Sequence, residues 1–205
     1  MLINREKEEM QLKANIRKNY IYTFITSLSI TEAIWMLFLA YRGMSLVQIG
    51  LLESIFHITG MTMEIPTGII ADRFGRKTSR VVGRLLGLVS TGLMLSSHSF
   101  LGFTVAFVLA ALSYNLESGA GDALVYDTLV ELDETARYMK IKGIQEVCFQ
   151  SGRIASLVIG GWIATFNYEL GYGISLGIGS LAVLQALTFK EPLKNQAIEH
   201  KRSFI

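Results

Sequence analysis

The sequence predicts an all-α membrane protein with six transmembrane helices. Three observations carry that prediction. The 205 residues are 51% hydrophobic and only 18% charged, where soluble domains carry about 25% charged residues; mean hydropathy is +0.40. The apolar residues come in long blocks, and a block of roughly 18 or more mostly apolar residues reads as a membrane helix. Lys and Arg then fall almost wholly on one side of the alternating loops, which is how a chain is oriented in a bilayer.

The spans follow in order, each roughly 20–25 residues and so long enough for a ~30 Å hydrocarbon core. A lead-in over residues 1–19 carries charges of both signs and has no apolar core of the kind a cleavable signal needs. Two readings of it stand side by side. Leu12 and Ile16 set against Lys13 and Arg17 suit a helix lying on the inner surface, and a solvated lead-in suits the same residues. Span 1 covers residues 20–41 and span 2 covers 46–70, with Arg42 and Ser45 in the short turn between them. Span 3 covers 79–97 and span 4 covers 100–129, joined through His98 and Ser99. Span 5 covers 141–166 and span 6 covers 170–189, joined through Asn167 and Glu169. No strand alternation is long enough for a membrane barrel.

One side of this pattern receives Arg5, Lys7, Lys13, Arg17 and Lys18, then Arg73, Arg76, Lys77, Arg80 and Arg84, then Arg137, Lys140 and Lys142, then Lys190, Lys194, Lys201 and Arg202. The other side receives only Arg42, and Arg153 lies inside span 5. Both termini are therefore expected in the cytoplasm, in a multi-pass protein of the plasma membrane. Three turns too short for a domain force antiparallel neighbours. Net charge is only +2, which leaves no electrostatic case for nucleic acid. Cys148 is the only cysteine, which excludes an internal disulfide and a thiolate cluster. No phosphate-binding loop, HExxH or Cys/His metal spacing occurs, so neither cofactor, metal nor enzymatic chemistry is expected. Gly160, Gly161 and the glycines from Gly171 to Gly179 lie in apolar spans, where they suit close helix packing instead of a dinucleotide fingerprint. His98 and His200 read as lone surface residues.

The densest charged knot is Gly68-Ile69-Ile70-Ala71-Asp72-Arg73-Phe74-Gly75-Arg76-Lys77, between spans 2 and 3. Charges that close cannot sit in lipid, so they mark a loop at a membrane face. The spacing Gly-xxx-Asp-xx-Gly-Arg-Lys resembles the signature loop of major facilitator superfamily transporters. Glu64-Ile65-Pro66-Thr67-Gly68 leading into it, with Ser118, Gly119, Tyr126 and Asp127 on span 4, extends the likeness. The resemblance covers nearly the whole chain. It implies the six-helix N-terminal domain of such a transporter (3+3 inverted repeats) over residues 20–190, with 191–205 opening the central cytoplasmic loop. The partner would be a C-terminal six-helix half or a second copy, and the chain looks like one half of a longer protein. By resemblance Asp72, Arg76 and Asp127 form a gating charge relay that holds the outward-open state. Gly68 lets helices close tightly, Gly75 permits the turn, and Lys77 completes the loop. Two other family patterns are degraded. Asn115 stands where drug–proton antiporters carry an Arg, four positions before Gly119. The span 5 run keeps Gly160-Gly161 without its Gly-Pro step.

Ionisable residues deep in a membrane are costly and mark function. At roughly 1.5 Å per residue, Glu32, Glu53, His57, Glu117 and Arg153 fall in one mid-bilayer slab. Glu53 and His57 are four apart on one helix face, and Glu117 is expected to pair with Arg153 on the next span. An unpaired acid there can take up a proton near neutral pH, so Glu32 or Glu53, helped by His57, is the expected proton carrier. Trp35, Phe38, Tyr41 and Tyr114 are candidates for a cavity wall. Trp162, Tyr168 and Tyr172 suit an interfacial belt. The function implied is proton-coupled efflux of a small molecule by alternating access. The alternative is a stand-alone six-span protein with a binding or regulatory role.

Overall fold

The computed structural model describes residues 2–192, with side chains from Glu9 onward. Lys194, His200, Lys201 and Arg202 lie outside the described residues, as does most of the expected loop segment 191–205. So do the side chains of Arg5 and Lys7. Among the described residues there is helix and no strand: α1 (Leu2–Ser27), a 3-10 turn (Ile30–Ala33), α2 (Trp35–Tyr41), α3 (Leu46–Phe74), α4 (Arg76–Ser96), α5 (Phe100–Glu131), a 3-10 turn (Thr135–Arg137), α6 (Tyr138–Ala164) and α7 (Tyr168–Leu187). Five segments are long and apolar enough to cross a membrane: Glu9–Tyr41, Leu46–Phe74, Phe100–Glu131, Thr135–Ala164 and Tyr168–Leu187. α4 falls short of that composition because Arg76, Lys77, Arg80 and Arg84 occupy its first turns. It nonetheless runs as a full helix between α3 and α5, packed along α5 more extensively than any other pair.

The turns at the Arg42 end are written in capping residues. Ser45 Oγ accepts from Gln48 N while Gln48 Oε1 accepts from Ser45 N, a reciprocal cap on α3. Ser99 Oγ accepts from Gly102 N on α5, and Asn167 Oδ1 accepts from Glu169 N on α7. At the opposite end α3 and α4 are separated by Gly75 alone.

Span 1 is not one helix. α1 carries the lead-in and the first part of the span together, then breaks between Ser27 and Trp35. Two hydroxyls there bond back to the helix: Thr26 Oγ1 to Thr23 O and Ser27 Oγ to Phe24 O. Such bonds compete with the helical ladder. The break is also shaped by α6. A Cβ at Gly152 would stand 3.0 Å from Phe24 O, and one at Gly160 would stand 2.6 Å from Ile30 O. With Ser156 fully buried between them, these small residues at four-residue spacing let α6 touch the backbone of the broken segment. Gly161 meets nothing within 4 Å, so only the first glycine of that pair does packing work here.

Apolar packing is divided along the bundle. Near the Arg42 end Ile34, Phe38, Leu52, Phe103, Phe107 and Tyr172 form one cluster. Near the Arg76 end Tyr22, Leu124, Ala182, Ala186 and Phe189 form a second. Phe38 is fully buried with its ring 4.3 Å from Tyr172, so it belongs to the core and not to a cavity wall, and Tyr172 is not part of an interfacial belt. Much of the outer surface is apolar as well: Leu46, Met61, Ile65, Val158, Trp162 and Leu184 are all exposed. Apolar surface on every side is what lipid, not water, covers.

Candidate functional site

α4 places Arg76, Arg80 and Arg84 at four-residue spacing, so the three guanidiniums share one face. That face turns inward. Arg84 binds Glu117 of α5 at two points, Nε to Oε1 at 2.6 Å and Nη2 to Oε2. The Tyr22 hydroxyl of α1 donates to the same Oε1 at 2.7 Å. A carboxylate gripped by a bidentate guanidinium and a phenol is held rigidly. Arg80 is 4% exposed. Its Nη1 donates to Asn19 Oδ1 at 2.9 Å, and its guanidinium lies 4.2 Å from the Tyr22 ring centre and 4.7 Å from that of Phe189. α4 comes this close to α5 because of Gly83 and Gly87: added Cβ atoms would meet Glu117 Cγ at 3.0 Å and Ser113 Oγ at 2.7 Å. Tyr22, Arg80, Arg84 and Glu117 border a cavity of about 520 Å³ whose wall also includes Thr26, Ser29 and Thr31 of the broken span, Gln145 of α6 and Ser175 of α7. Tyr114 and Phe56 line it too.

At the Arg76 end Gly75 has φ 93° and ψ 154°, a region close to glycine-only. The turn directs the first two amides of α4 at Glu191, whose carboxylate accepts from Arg76 N at 2.6 Å and Lys77 N at 2.7 Å. An acid at a helix N-terminus satisfies amides that have no partner inside the helix. Arg76 Nη1 lies 2.7 Å from Asp72 Oδ1, and its Nε lies 3.6 Å from Asp127 Oδ2. Both Nε and that Oδ2 are buried without a hydrogen bond, so the second contact is an ion pair left slack. At Gly68 a Cβ would meet nothing within 4 Å, so among the described residues no helix closes on it. Glu191 is reached because the end of α7 is tied to α1. The Asn15 amide donates to Lys190 O at 2.8 Å and accepts from Lys190 N at 2.9 Å.

The mid-bilayer residues divide into separate pairs. The expected Glu117–Arg153 pair is not formed. Arg153 instead binds Glu32 in the break of span 1, with Nη2 2.7 Å and Nε 3.0 Å from Oε1. The reason is packing order: α6 lies on α1 and barely touches α5, whereas α5 lies on α4. The polar link between α5 and α6 is Lys142 to Asp122. Glu53 and His57 meet at 3.2 Å on the exposed face of α3. His57 borders a groove of about 810 Å³ with Gly60, Glu64, Gly68 and Asn115. Asn115 donates there to Gly60 O at 2.7 Å, binding α5 to α3. At the far end His98 is not alone: Arg42 contacts its ring nitrogens at 2.7 and 2.8 Å and Glu169 at 2.9 Å, joining three turns.

The sequence reading counts Arg80 and Arg84 among the charges at the cytoplasmic face and does not single out Glu191. The four-residue spacing of Arg76, Arg80 and Arg84 was the available signal for the first two. Glu191 gave none, since it acts 115 positions away.

Residues 20–203 match the family described as Major Facilitator Superfamily. The chain belongs to that family. It is similar to the uncharacterized MFS-type transporter YxaM of Bacillus subtilis, 29% identical over 94 residues, covering 46% of this chain and 24% of YxaM. It is also similar to the quinolone resistance protein NorA of Staphylococcus aureus. The Mu50 form is 21% identical over 167 residues, covering 82% of this chain and 42% of NorA. The MRSA252 form is 20% identical over 176 residues, covering 85% and 44%. The chain thus spans less than half the length of these relatives. Its helices, their apolar exterior and this family place it as a multi-pass membrane protein.

Proposed function

We propose that this chain is a six-helix half of a secondary active transporter that exports a small molecule through the plasma membrane by alternating access, driven by protons. α4 counts as the third of its six spans, both termini face the cytoplasm, and the halves meet around the solute near the midplane. The observation that carries the reading is Arg76 set between Asp72 and Asp127, with one contact tight and the other slack. A gate needs a contact whose strength differs between two states. A buried pair at 3.6 Å with neither atom hydrogen-bonded can tighten or release without refolding a helix. Glu191 keeps the loop that carries Arg76 in place. Efflux rests on the likeness to a quinolone resistance protein, and the second half or second copy rests on the length of the relatives.

Proton coupling falls to Glu53 with His57, or to Glu32 with Arg153. Both acids are paired and not unpaired as expected, so a proton would have to compete with the partner for the carboxylate; neither is sealed in the core. The test is quinolone flux in liposomes holding the full-length transporter, with and without an imposed proton gradient. Flux should follow the gradient, and Glu53→Gln or Glu32→Gln should abolish that dependence by tenfold or more. Gradient dependence unchanged in both variants rejects these carriers. No gradient-driven flux of any tested solute rejects the transporter reading and leaves the stand-alone binding role.

A further inference from the structure

One arginine on the inward face of α4 has no carboxylate of its own among the described residues. Arg84 and Glu117 neutralise each other. Arg80, in contact with the same cluster, has no carboxylate within ion-pair distance among the described residues. Its Nε–H is buried and has no acceptor. The adjoining Asn19 amide nitrogen is in the same condition, and so is the Ser175 hydroxyl across the cavity. A buried N–H without an acceptor, on a guanidinium that has no carboxylate of its own, suits an anion, because leaving such a group unpaired is costly. Tyr22 and Phe189 stack on Arg80 and the Tyr22 hydroxyl interacts with it as well, yet neither side chain brings it a formal negative charge.

Space for an anion lies in the adjoining cavity. Gly121 of α5 lies against the guanidinium: a Cβ there would be in van der Waals contact with it, 3.6 Å from Cζ and Nη2 and 3.8 Å from Nε. Both residues border the 520 Å³ cavity, whose wall is rich in hydroxyls from Thr26, Ser29, Thr31 and Ser113. We infer that Arg80 is the anchor of an oxyanion subsite in this cavity, and that the solute carried through it bears a carboxylate or phosphate group. A planar guanidinium matches either group at two points. The inference rests on the cavity being the solute path proposed above, and it deepens that reading by naming the chemistry of the solute.

The test measures binding, so it stands apart from transport. The full chain is purified in neutral detergent, and its unfolding temperature is followed with benzoate, inorganic phosphate or tetraphenylphosphonium added. Benzoate or phosphate should raise the midpoint by several degrees, and whichever acts identifies the group. Tetraphenylphosphonium should not. Arg80→Gln should weaken the anion's apparent affinity at least tenfold, and Arg80→Lys should recover part of it. If Arg80→Gln does not fold, Gly121→Val serves instead: it leaves the charge in place, fills the space over the guanidinium, and should remove the anion response. A response equal in wild type, Arg80→Gln and Gly121→Val overturns the assignment, as does a response to the cation alone. Stabilisation by phosphatidylglycerol only, lost in the Arg80 variants, overturns the solute in favour of a lipid headgroup.

Discussion

Gly68 inside α3 and Gly75 at its end separate a packing role from a conformational role. Gly75 has a backbone that other residues enter at about 1–3 kcal/mol, and a Cβ there would also strike the Glu191 carboxylate at 2.9 Å. Gly75→Ala should therefore lower stability by about 1–3 kcal/mol, while Gly68→Ala, with open space, should change it by less than about 0.5 kcal/mol; thermal unfolding in detergent measures both. Glu117 makes a second test. Glu117→Gln keeps the size but leaves Arg84 uncompensated, and should cost about 2–4 kcal/mol. Arg84→Gln together with Glu117→Gln should restore much of that loss. Equal, additive losses would mean the pair is not a unit. At this scale the sequence was legible where partners are close in the chain. Gly75, Asp72–Arg76 and Glu53–His57 lie within one turn or one loop. Glu117 pairs with Arg84 and not Arg153 because α5 packs on α4 and barely touches α6, the next helix in the chain, and Glu191 has no local signature at all.

Among the elements, the broken first span and the small residues of α6 belong together. Hydropathy detects an apolar block but does not see that hydroxyls at Thr26 and Ser27 bond back to the chain, so the break was invisible to it. Gly160→Leu should force the two segments apart and cost about 1–3 kcal/mol, with the Glu32–Arg153 pair lost as well. Gly161→Leu, pointing into open space, should be tolerated. Monodispersity in detergent and the unfolding midpoint distinguish the two. α4 illustrates the opposite difficulty. Its charges read as loop in a linear scan, yet at four-residue spacing they make an inward face that joins α1, α5 and α7.

Across the whole molecule, the helical class and the apolar segments were readable because length and apolar content are properties of segments, not of contacts. What could not be read was which helices touch, and that decided every corrected pairing. The bundle is closed at both ends by polar ties: Arg42 with His98 and Glu169 at one, Asn15 with Lys190 and Glu191 with α4 at the other. All of this presupposes helices standing in lipid with the Arg76 end in the cytoplasm. The direct measurement is labelling of single cysteines in intact cells by a membrane-impermeant maleimide, after Cys148→Ser. Met44→Cys and Asn167→Cys should react from outside, whereas Lys77→Cys and Glu134→Cys should react only after the cells are opened. Labelling of Lys77→Cys from outside, or of all four positions alike, would contradict it.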